Sequence, residues 1–130
     1  VVLLQPTSPF RQTKHIDEAF EFLLNKNAPA CVSVVEQDQP PFWMYKMTNE
    51  KKLTPLIEEN KFNRRQLVPK SYSLNGAIFI CNTKYFLSSD HPDPFITSNT
   101  IGYEMSAEFS LDIDDEWDWK IAEAIFSKNV

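Results

Sequence analysis

The sequence begins with the residues Val1-Val2-Leu3-Leu4-Gln5-Pro6-Thr7-Ser8-Pro9-Phe10-Arg11. The apolar run at its start is stopped by Pro6, and turn-forming residues follow, which predicts a buried strand over residues 1–5 that leads into a loop. Loops at the carboxyl ends of strands are where α/β sheets bind their ligands. The candidate binding residues in this loop are Gln5, Thr7, Ser8 and Arg11. The same side chains can instead shape the turn or lie at the surface, and the local sequence leaves both interpretations open.

Downstream of this loop, helical and extended patterns alternate. A helix is predicted from Thr13, its candidate N-cap, to residues 25–27, because Ile16, Ala19 and Leu23 recur at helical spacing. Buried strands are predicted over residues 30–35 and 72–81, the latter entered through a turn at Asn75-Gly76. A short helix from Thr83, a strand over 110–114 and a last helix from near Asp115 complete the pattern. The last helix is expected to bury Trp117, Ile121, Ala124 and Ile125. Alternating strands and helices predict an α/β fold.

Residues 42–69 depart from this alternation and predict a hairpin or excursion from the main sheet. Large apolar side chains are concentrated there, namely Phe42, Trp43, Met44 and Met47. Aromatic and methionine side chains are enriched in the cores of protein interfaces, which makes the excursion a candidate subunit contact. The same side chains can equally cover the core of their own domain.

Length and composition narrow the class of protein. The 130 residues suffice for a single domain, residues 1–130, or part of one. A net charge of -5 without a basic segment argues against a nucleic-acid partner, and no apolar run is long enough to cross a membrane. Only two glycines are present, so glycine-rich phosphate loops are excluded. Cys31 and Cys81 stand in apolar runs without metal or disulfide spacing, which favours buried thiols and a reducing compartment such as the cytoplasm.

The sharpest chemical signal is the pair Asp112 and Asp114 in the predicted strand over residues 110–114. Residues two apart in a strand point to the same face, so both carboxylates can converge on one hard divalent cation. Mg2+ takes one or two carboxylates together with phosphate oxygens, and it is the expected occupant. The alternative is that Asp112 is a solvated edge residue and that Asp114 or Asp115 caps the last helix.

Further polar residues carry weaker signals. Arg64 and Arg65, followed by Gln66, offer guanidinium groups suited to carboxylate or phosphate, although paired arginines are more often a solvated surface. His15 and His91 stand alone and are read as ordinary surface or core histidines.

Five stretches in order resemble the cytidylyltransferases that activate acylneuraminate sugars, the CMP-sialic acid synthetases. They are Leu-Leu-Gln-Pro-Thr-Ser-Pro-Phe-Arg, His-Ile-Asp-Glu-Ala, Arg-Arg-Gln, Tyr-x-x-Asn-Gly-Ala-Ile-Phe-Ile and Ser-Leu-Asp-Ile-Asp. The resemblance covers nearly the whole chain. It implies a partial Rossmann-like, three-layer α/β/α nucleotidyltransferase fold that is usually dimeric, with an excursion like residues 42–69 reaching the partner subunit.

The resemblance also implies a reaction. In that family CMP is transferred from CTP to an acidic, nine-carbon α-keto acid sugar, and pyrophosphate is released. Asp112 and Asp114 match the aspartates that hold Mg2+ and are the implied catalytic and metal residues. The implied substrate-binding residues are Gln5, Thr7, Ser8, Arg11, Arg65, Gln66, Tyr72, Asn75 and Gly76.

Two departures from the family qualify these expectations. The family's N-terminal segment, which wraps the triphosphate and recognises cytosine, has no counterpart in this sequence, so a non-catalytic sugar-binding or dimerisation module is the alternative function. Ser73 and Leu74 occupy the positions where sialate-activating members tend to carry an arginine. This leaves room for a relative that activates legionaminate or pseudaminate; a cytidylyltransferase for another acidic sugar, such as Kdo, is a third interpretation.

Overall fold

The computed structural model describes residues 1–57, 67–88 and 93–128. In chain order, its strands and α-helices are β1 (Val2–Leu3), α1 (Thr13–Lys26), β2 (Ala30–Glu36), β3 (Tyr45–Met47), β4 (Leu53–Pro55), β5 (Tyr72–Cys81), α2 (Thr83–Ser88), β6 (Ile101–Glu104) and α3 (Glu116–Lys128). Short 3-10 turns occupy Pro41–Trp43 and Ala107–Phe109. Within the described ranges, no helix is both long and apolar enough to cross a membrane.

The chain divides into two compact units. The main unit comprises Val1–Val35 and Leu74–Val130, and the hairpin unit comprises Glu36–Ser73. In the hairpin unit, β3 and β4 pair antiparallel, with Tyr45 opposite Pro55 and Met47 opposite Leu53. The hairpin predicted from the sequence is therefore present.

The main sheet has the strand order β1-β5-β2-β6. β1 pairs antiparallel with β5, with Val2 opposite Ile80, whereas β2 pairs parallel with β6, with Cys31 opposite Ile101. The sheet is thus mixed, and β1 and β6 form its two edges in the described chain.

Helices cover both faces of this sheet. Successive strand residues point to opposite faces, and the apolar side chains accordingly form two clusters. One cluster joins the sheet to α1 and contains Ala19, Leu23, Cys31, Ala77, Ile78, Ile80 and Met105. The other contains Ala30, Val32, Cys81 and Phe95, with Tyr85 and Phe86 of α2 packed against it. The predicted α/β class, with helix layers on both faces as in a partial Rossmann-like fold, is confirmed.

The strand predicted at residues 1–5 is present but is shorter than expected and lies on the surface. β1 spans Val2–Leu3, and Val2 is 47% exposed. The prediction of burial is wrong because β1 lies at a sheet edge, where pairing is with β5 alone in the described chain. Apolar composition by itself does not distinguish a central strand from an edge.

Two other predictions need correction. Residues 110–114 do not form a strand: Ile113 N–H donates to the Thr7 carbonyl at 2.9 Å, whereas the amides of Ser110 and Asp114 donate to nearby groups, the Ala107 carbonyl and Asp118 Oδ2. Asn75 and Gly76 do not form a turn either, because they lie inside the continuous strand β5. Gly76 has a φ of 72°, a backbone conformation that glycine adopts at little cost, so the strand can distort locally without ending.

The last helix begins one residue after Asp115, which caps it. Asp115 Oδ1 accepts hydrogen bonds from the amides of Trp117, at 2.7 Å, and Asp118, at 3.0 Å. The expected burial of Trp117 is wrong: its side chain is 68% exposed, and Ala124 is exposed as well. Ala122 is the buried residue of α3, so the inner face of the helix is turned away from Trp117.

Candidate active site

Gln5 and Asp112, which are distant from each other in sequence, meet at Gly76 in the middle of β5. A Cβ atom at Gly76 would lie 2.3 Å from Gln5 Oε1 and 2.9 Å from Asp112 Oδ2. Gly76 therefore leaves room for one amide oxygen and one carboxylate oxygen in the space that a side chain would fill. The structure brings together Gln5, Gly76 and Asp112, each of which the sequence singles out.

Arg11 holds the end of β1 beside this point. Its Nη1 donates to the Gln5 carbonyl at 2.9 Å and to the Ala77 carbonyl at 2.8 Å. One guanidinium nitrogen thus joins the residue before Pro6 to the residue after Gly76. A direct contact of Arg11 with substrate stays a prediction, since these two bonds are to the backbone.

The loop after β1 also contacts the segment that carries the aspartates. The Thr7 carbonyl accepts the bond from Ile113 described above. Ser8 is buried, and its Oγ atom has no hydrogen-bond partner among the described residues. A buried hydroxyl without a partner calls for an explanation, and a bound ligand or water is the usual one.

Asn75 is buried, with 4% of its surface exposed. Its Oδ1 accepts from Ser33 Oγ at 2.5 Å and from the Ala77 amide at 3.2 Å, and its Nδ2 donates to Ser110 Oγ at 3.0 Å. Asn75 thus connects two strands of the sheet to the segment that precedes Asp112. Its predicted contact with a substrate stays untested, because the bonds it makes here are to the protein.

The two predicted metal ligands have different surroundings. Asp112 is half-buried, and its Oδ1 is buried without a hydrogen-bond partner in the described part of the chain. Asp114 is exposed, and its amide donates to Asp118 Oδ2 at 3.1 Å. Because residues 110–114 do not form a strand, the regular alternation that was to place both carboxylates on one face is absent.

The oxygen atoms that are available as metal ligands suit a hard cation. An unpaired carboxylate oxygen at Asp112 and the amide oxygen of Gln5 are both oxygen ligands, the type that Mg2+ prefers. Within residues 1–57, 67–88 and 93–128, no group of three or more His, Cys, Asp or Glu side chains is placed to hold a metal ion. This is compatible with Mg2+, which binds through one or two protein carboxylates and completes its shell with water and phosphate.

The remaining predicted site residues are Arg65, Gln66 and Tyr72. Arg65 and Gln66, with Arg64, lie outside the described residues, as does His91. Tyr72 is the first residue of β5 and is exposed; it belongs to the hairpin unit.

Sequence analysis missed Ser33 and Ser110, which bond to Asn75. Ser33 is the one polar residue within the apolar run of β2. A lone serine in a strand with an otherwise apolar sequence is a usable signal, since buried hydroxyls are almost always hydrogen-bonded. Ser110 carried no comparable signal in its surroundings.

The two cysteines are not part of the site chemistry. Both are free and buried, as predicted. Burial raises the pKa of the Cys31 thiol to about 11, against a smaller lowering by a hydrogen bond with the Tyr103 backbone. Burial also raises the pKa of Cys81. Thiols with raised pKa values are poor nucleophiles at neutral pH.

The mixed α/β unit, with its polar cluster at the end of β1, places the chain among the α/β proteins. Comparisons with known proteins identify its relatives. No protein-family model matches the chain. It is 37% identical over 118 residues to an N-acylneuraminate cytidylyltransferase of Streptococcus agalactiae, covering 91% of the chain. It is 35% identical over 128 residues to an N-acylneuraminate cytidylyltransferase of Escherichia coli, covering 97% of the chain.

A third relative is a CMP-N,N'-diacetyllegionaminic acid synthase of Legionella pneumophila, 28% identical over 136 residues and 99% of the chain. The chain is thus a homologue of the N-acylneuraminate cytidylyltransferases over almost its whole length, which confirms the resemblance seen in its motifs. It spans 28% and 29% of the length of the first two relatives and 54% of the third.

Proposed function

We propose that the chain is part of a cytidylyltransferase that transfers CMP from CTP to an acidic nine-carbon α-keto acid sugar. The observation that carries the proposal is the meeting of Gln5, Gly76 and Asp112, where one carboxylate oxygen is buried and unpaired. The relatives support it through their names, two of which are N-acylneuraminate cytidylyltransferases and one a CMP-legionaminic acid synthase.

In the proposed reaction, the anomeric hydroxyl of the sugar attacks the α-phosphorus of CTP. A bond forms between the anomeric oxygen and that phosphorus, the bond to the pyrophosphate oxygen breaks, and the hydroxyl proton is released. Bound Mg2+ would supply neutralisation of the charge on the phosphates. The chain itself contributes positioning of the reactants, which is the main protein contribution in phosphoryl chemistry of this kind.

Individual residues take the following roles in this proposal. Asp112 and Asp114 hold the cation, with the unpaired Oδ1 of Asp112 as the first ligand. Gln5 presents its amide next to Asp112, and Arg11 keeps the Gln5 backbone attached to β5. Ser8 offers a buried hydroxyl without a described partner to the ligand. The other proposed substrate contacts are those of Thr7, Tyr72, Asn75, Arg65 and Gln66.

Among acidic sugars, the candidates are sialate and its relatives legionaminate and pseudaminate. Ser73 and Leu74 stand where sialate-activating members tend to carry an arginine. An arginine fork recognises a carboxylate by paired hydrogen bonds, and neither serine nor leucine replaces that contact. The names of the relatives support both kinds of sugar, N-acylneuraminate for the Streptococcus agalactiae and Escherichia coli proteins and legionaminate for the Legionella pneumophila protein.

A homodimer formed through the hairpin unit is part of the proposal. Cross-strand neighbours share a face, so Tyr45, Met47 and Leu53 lie on one side of the hairpin and Lys46 and Thr54 on the other. The apolar side is open to solvent within the single chain, with Met47 59% and Leu53 62% exposed. Exposed apolar surface of this kind marks an interaction site, and a second copy of the chain is the proposed occupant.

The proposal is tested by pyrophosphate release from CTP and Mg2+ with a panel of sialate, legionaminate and pseudaminate. The assay is run on the chain alone and on the chain joined to the remaining portion of the Streptococcus agalactiae relative. Pyrophosphate release by the joined protein, dependent on one sugar of the panel, is the expected result and names the substrate. Sugar binding without release in both proteins favours a non-catalytic binding module instead.

A further inference from the structure

A series of hydrogen bonds crosses the main unit from β2 to the segment before Asp112. Ser33 Oγ on β2 lies 2.5 Å from Asn75 Oδ1 on β5. Asn75 Nδ2 lies 3.0 Å from Ser110 Oγ, which in turn bonds the Ser106 carbonyl at 2.8 Å. The side chains of Ser33, Asn75 and Ser110 are named the serine–asparagine relay below.

Backbone groups orient the side chains of Asn75 and Ser110 in this relay. The Ala77 amide donates to Asn75 Oδ1 at 3.2 Å, so the amide oxygen of Asn75 must face β5 and its Nδ2 must face Ser110. Ser110 Oγ accepts from Nδ2 and therefore uses its own proton for the Ser106 carbonyl. At the other end, the Ile78 amide donates to Ser33 Oγ at 2.8 Å. The Ser33 hydroxyl has two acceptors, Asn75 Oδ1 at 2.5 Å and the Ile78 carbonyl at 3.3 Å, and the shorter of these bonds belongs to the relay.

The segment that carries Asp112 depends on such contacts because it has no strand pairing. Ser110 is held on one side by Asn75, and Ile113 is held on the other by the Thr7 carbonyl. The Asp112 carboxylate is not oriented by a hydrogen bond to its Oδ1, since that atom is buried without a partner in the described chain. The place of this carboxylate beside Gly76 is therefore set by its neighbours in sequence.

We propose that Ser33 and Ser110, acting through Asn75, are positioning residues that hold the Asp112 carboxylate ready for a divalent cation. The inference deepens the proposed function and rests on it for the identity of the ligand. Groups that orient a metal ligand without touching the metal commonly change metal affinity by about 10- to 100-fold when they are removed. The relay is such a group, acting through the backbone of residues 110–112.

The test compares three variants of the chain. Ser110→Ala removes the hydroxyl from the relay, and Ser110→Thr retains one. Ser106→Ala is the matched control, because Ser106 contributes its backbone carbonyl to the relay and its exposed hydroxyl contacts Glu108 instead. Two quantities are measured for each: the hydrogen-exchange rate of the Ile113 amide and the affinity for Mn2+, used as a probe for the cation.

Ser110→Ala is expected to accelerate exchange of Ile113 and to weaken Mn2+ binding about tenfold, while the amides of Ile78 and Ile80 in β5 keep their protection. Ser110→Thr restores both quantities, and Ser106→Ala matches the wild-type chain. Unchanged Ile113 exchange in Ser110→Ala overturns the positioning role whatever the metal result. If exchange responds and is restored by threonine but the wild-type chain binds no Mn2+, the relay positions Asp112 and the proposed function is the part that fails.

Discussion

At the scale of single residues, Gly76 decides where the site lies. Its positive φ and its missing side chain create a space that Gln5 and Asp112 enter from two other parts of the main unit. The atoms that approach it most closely belong to the side chains of Gln5 and Asp112 and not to the backbone. A side chain at this position would therefore disturb the site more than the fold.

Gly76→Ala is expected to destabilise the chain by about 1–3 kcal/mol through the positive φ. It is also expected to displace Gln5 and Asp112 and so to abolish Mn2+ binding. The matched control is Gly102→Ala, whose added Cβ would lie 3.2 Å from Val34 Cγ2 in a strand with ordinary φ. Chemical unfolding and Mn2+ titration of both variants check this; wild-type Mn2+ affinity in Gly76→Ala would contradict it.

Asp112→Asn is expected to reduce pyrophosphate release by about 100-fold or more, because a neutral amide replaces the charged ligand. Asp17→Asn, at an exposed position of α1, changes the net charge equally and is the control. Steady-state pyrophosphate release is measured for both variants, made in whichever protein is active, the chain alone or the joined protein. Comparable rates for the two variants would remove Asp112 from the site.

At the scale of elements, the start of α1 has an unusual cap. His15 is buried, its Nδ1 accepts from the Gln12 amide at 3.1 Å, and its ring packs against Phe109 at 4.7 Å between centroids. Burial lowers the pKa of His15, and neighbouring Lys14 lowers it further, against a smaller opposite effect of Glu18. Protonation would remove the acceptor, so the capped helix requires neutral His15.

The chain is expected to lose stability as the pH falls through the unfolded-state value of His15, about 6.5. Because the folded pKa is lowered, the unfolded chain binds the proton first. The contribution is therefore complete above that pH and declines until the folded pKa is passed.

His15→Gln keeps an acceptor for the Gln12 amide without a titrating ring. Unfolding free energies of wild type and variant, measured at about pH 8 and about pH 5.5, should show a smaller pH difference in His15→Gln. An equal difference in the two proteins would mean that other groups cause the pH dependence.

The helices and the central strands could be predicted from sequence period, because α1, β2 and β5 each follow one apolar pattern over several residues. The prediction of a strand over residues 110–114 was wrong, because a strand needs a partner along its length. Ile113 makes one backbone bond to another segment, to Thr7. β6 was missed because its four residues, Ile101–Glu104, include a glycine and give a weak signal.

In the site, Gln5, Gly76 and Asp112 were each identified, but their meeting depends on the packing of β1, β5 and the loop before α3.

At the scale of the whole molecule, the main feature of the single chain is apolar surface that stays exposed to solvent. It is found on the hairpin face with Met47 and Leu53 and along β1 at the sheet edge. Exposed edges and apolar faces favour association with further protein surface. We therefore expect the chain to self-associate in solution.

Replacing Met47 by lysine is expected to convert the associated form to monomer, because a charged side chain on the hairpin face is costly to bury against a second copy. Lys46→Glu on the other face is the control and should leave the assembly intact. Light scattering after size-exclusion chromatography gives the mass of each. A wild-type chain that is monomeric would contradict the dimer.

The central claim is that the cluster at Gly76 binds the divalent cation, and mapping Mn2+ onto the chain by NMR tests it most directly. Mn2+ broadens the signals of nearby nuclei, and we predict that broadening centres on the amides of Gln5, Gly76 and Asp112. A competing acidic surface lies near Glu18, Glu21 and Glu104 beside α1 and β6. Broadening centred there, or none at Gly76, would contradict the account.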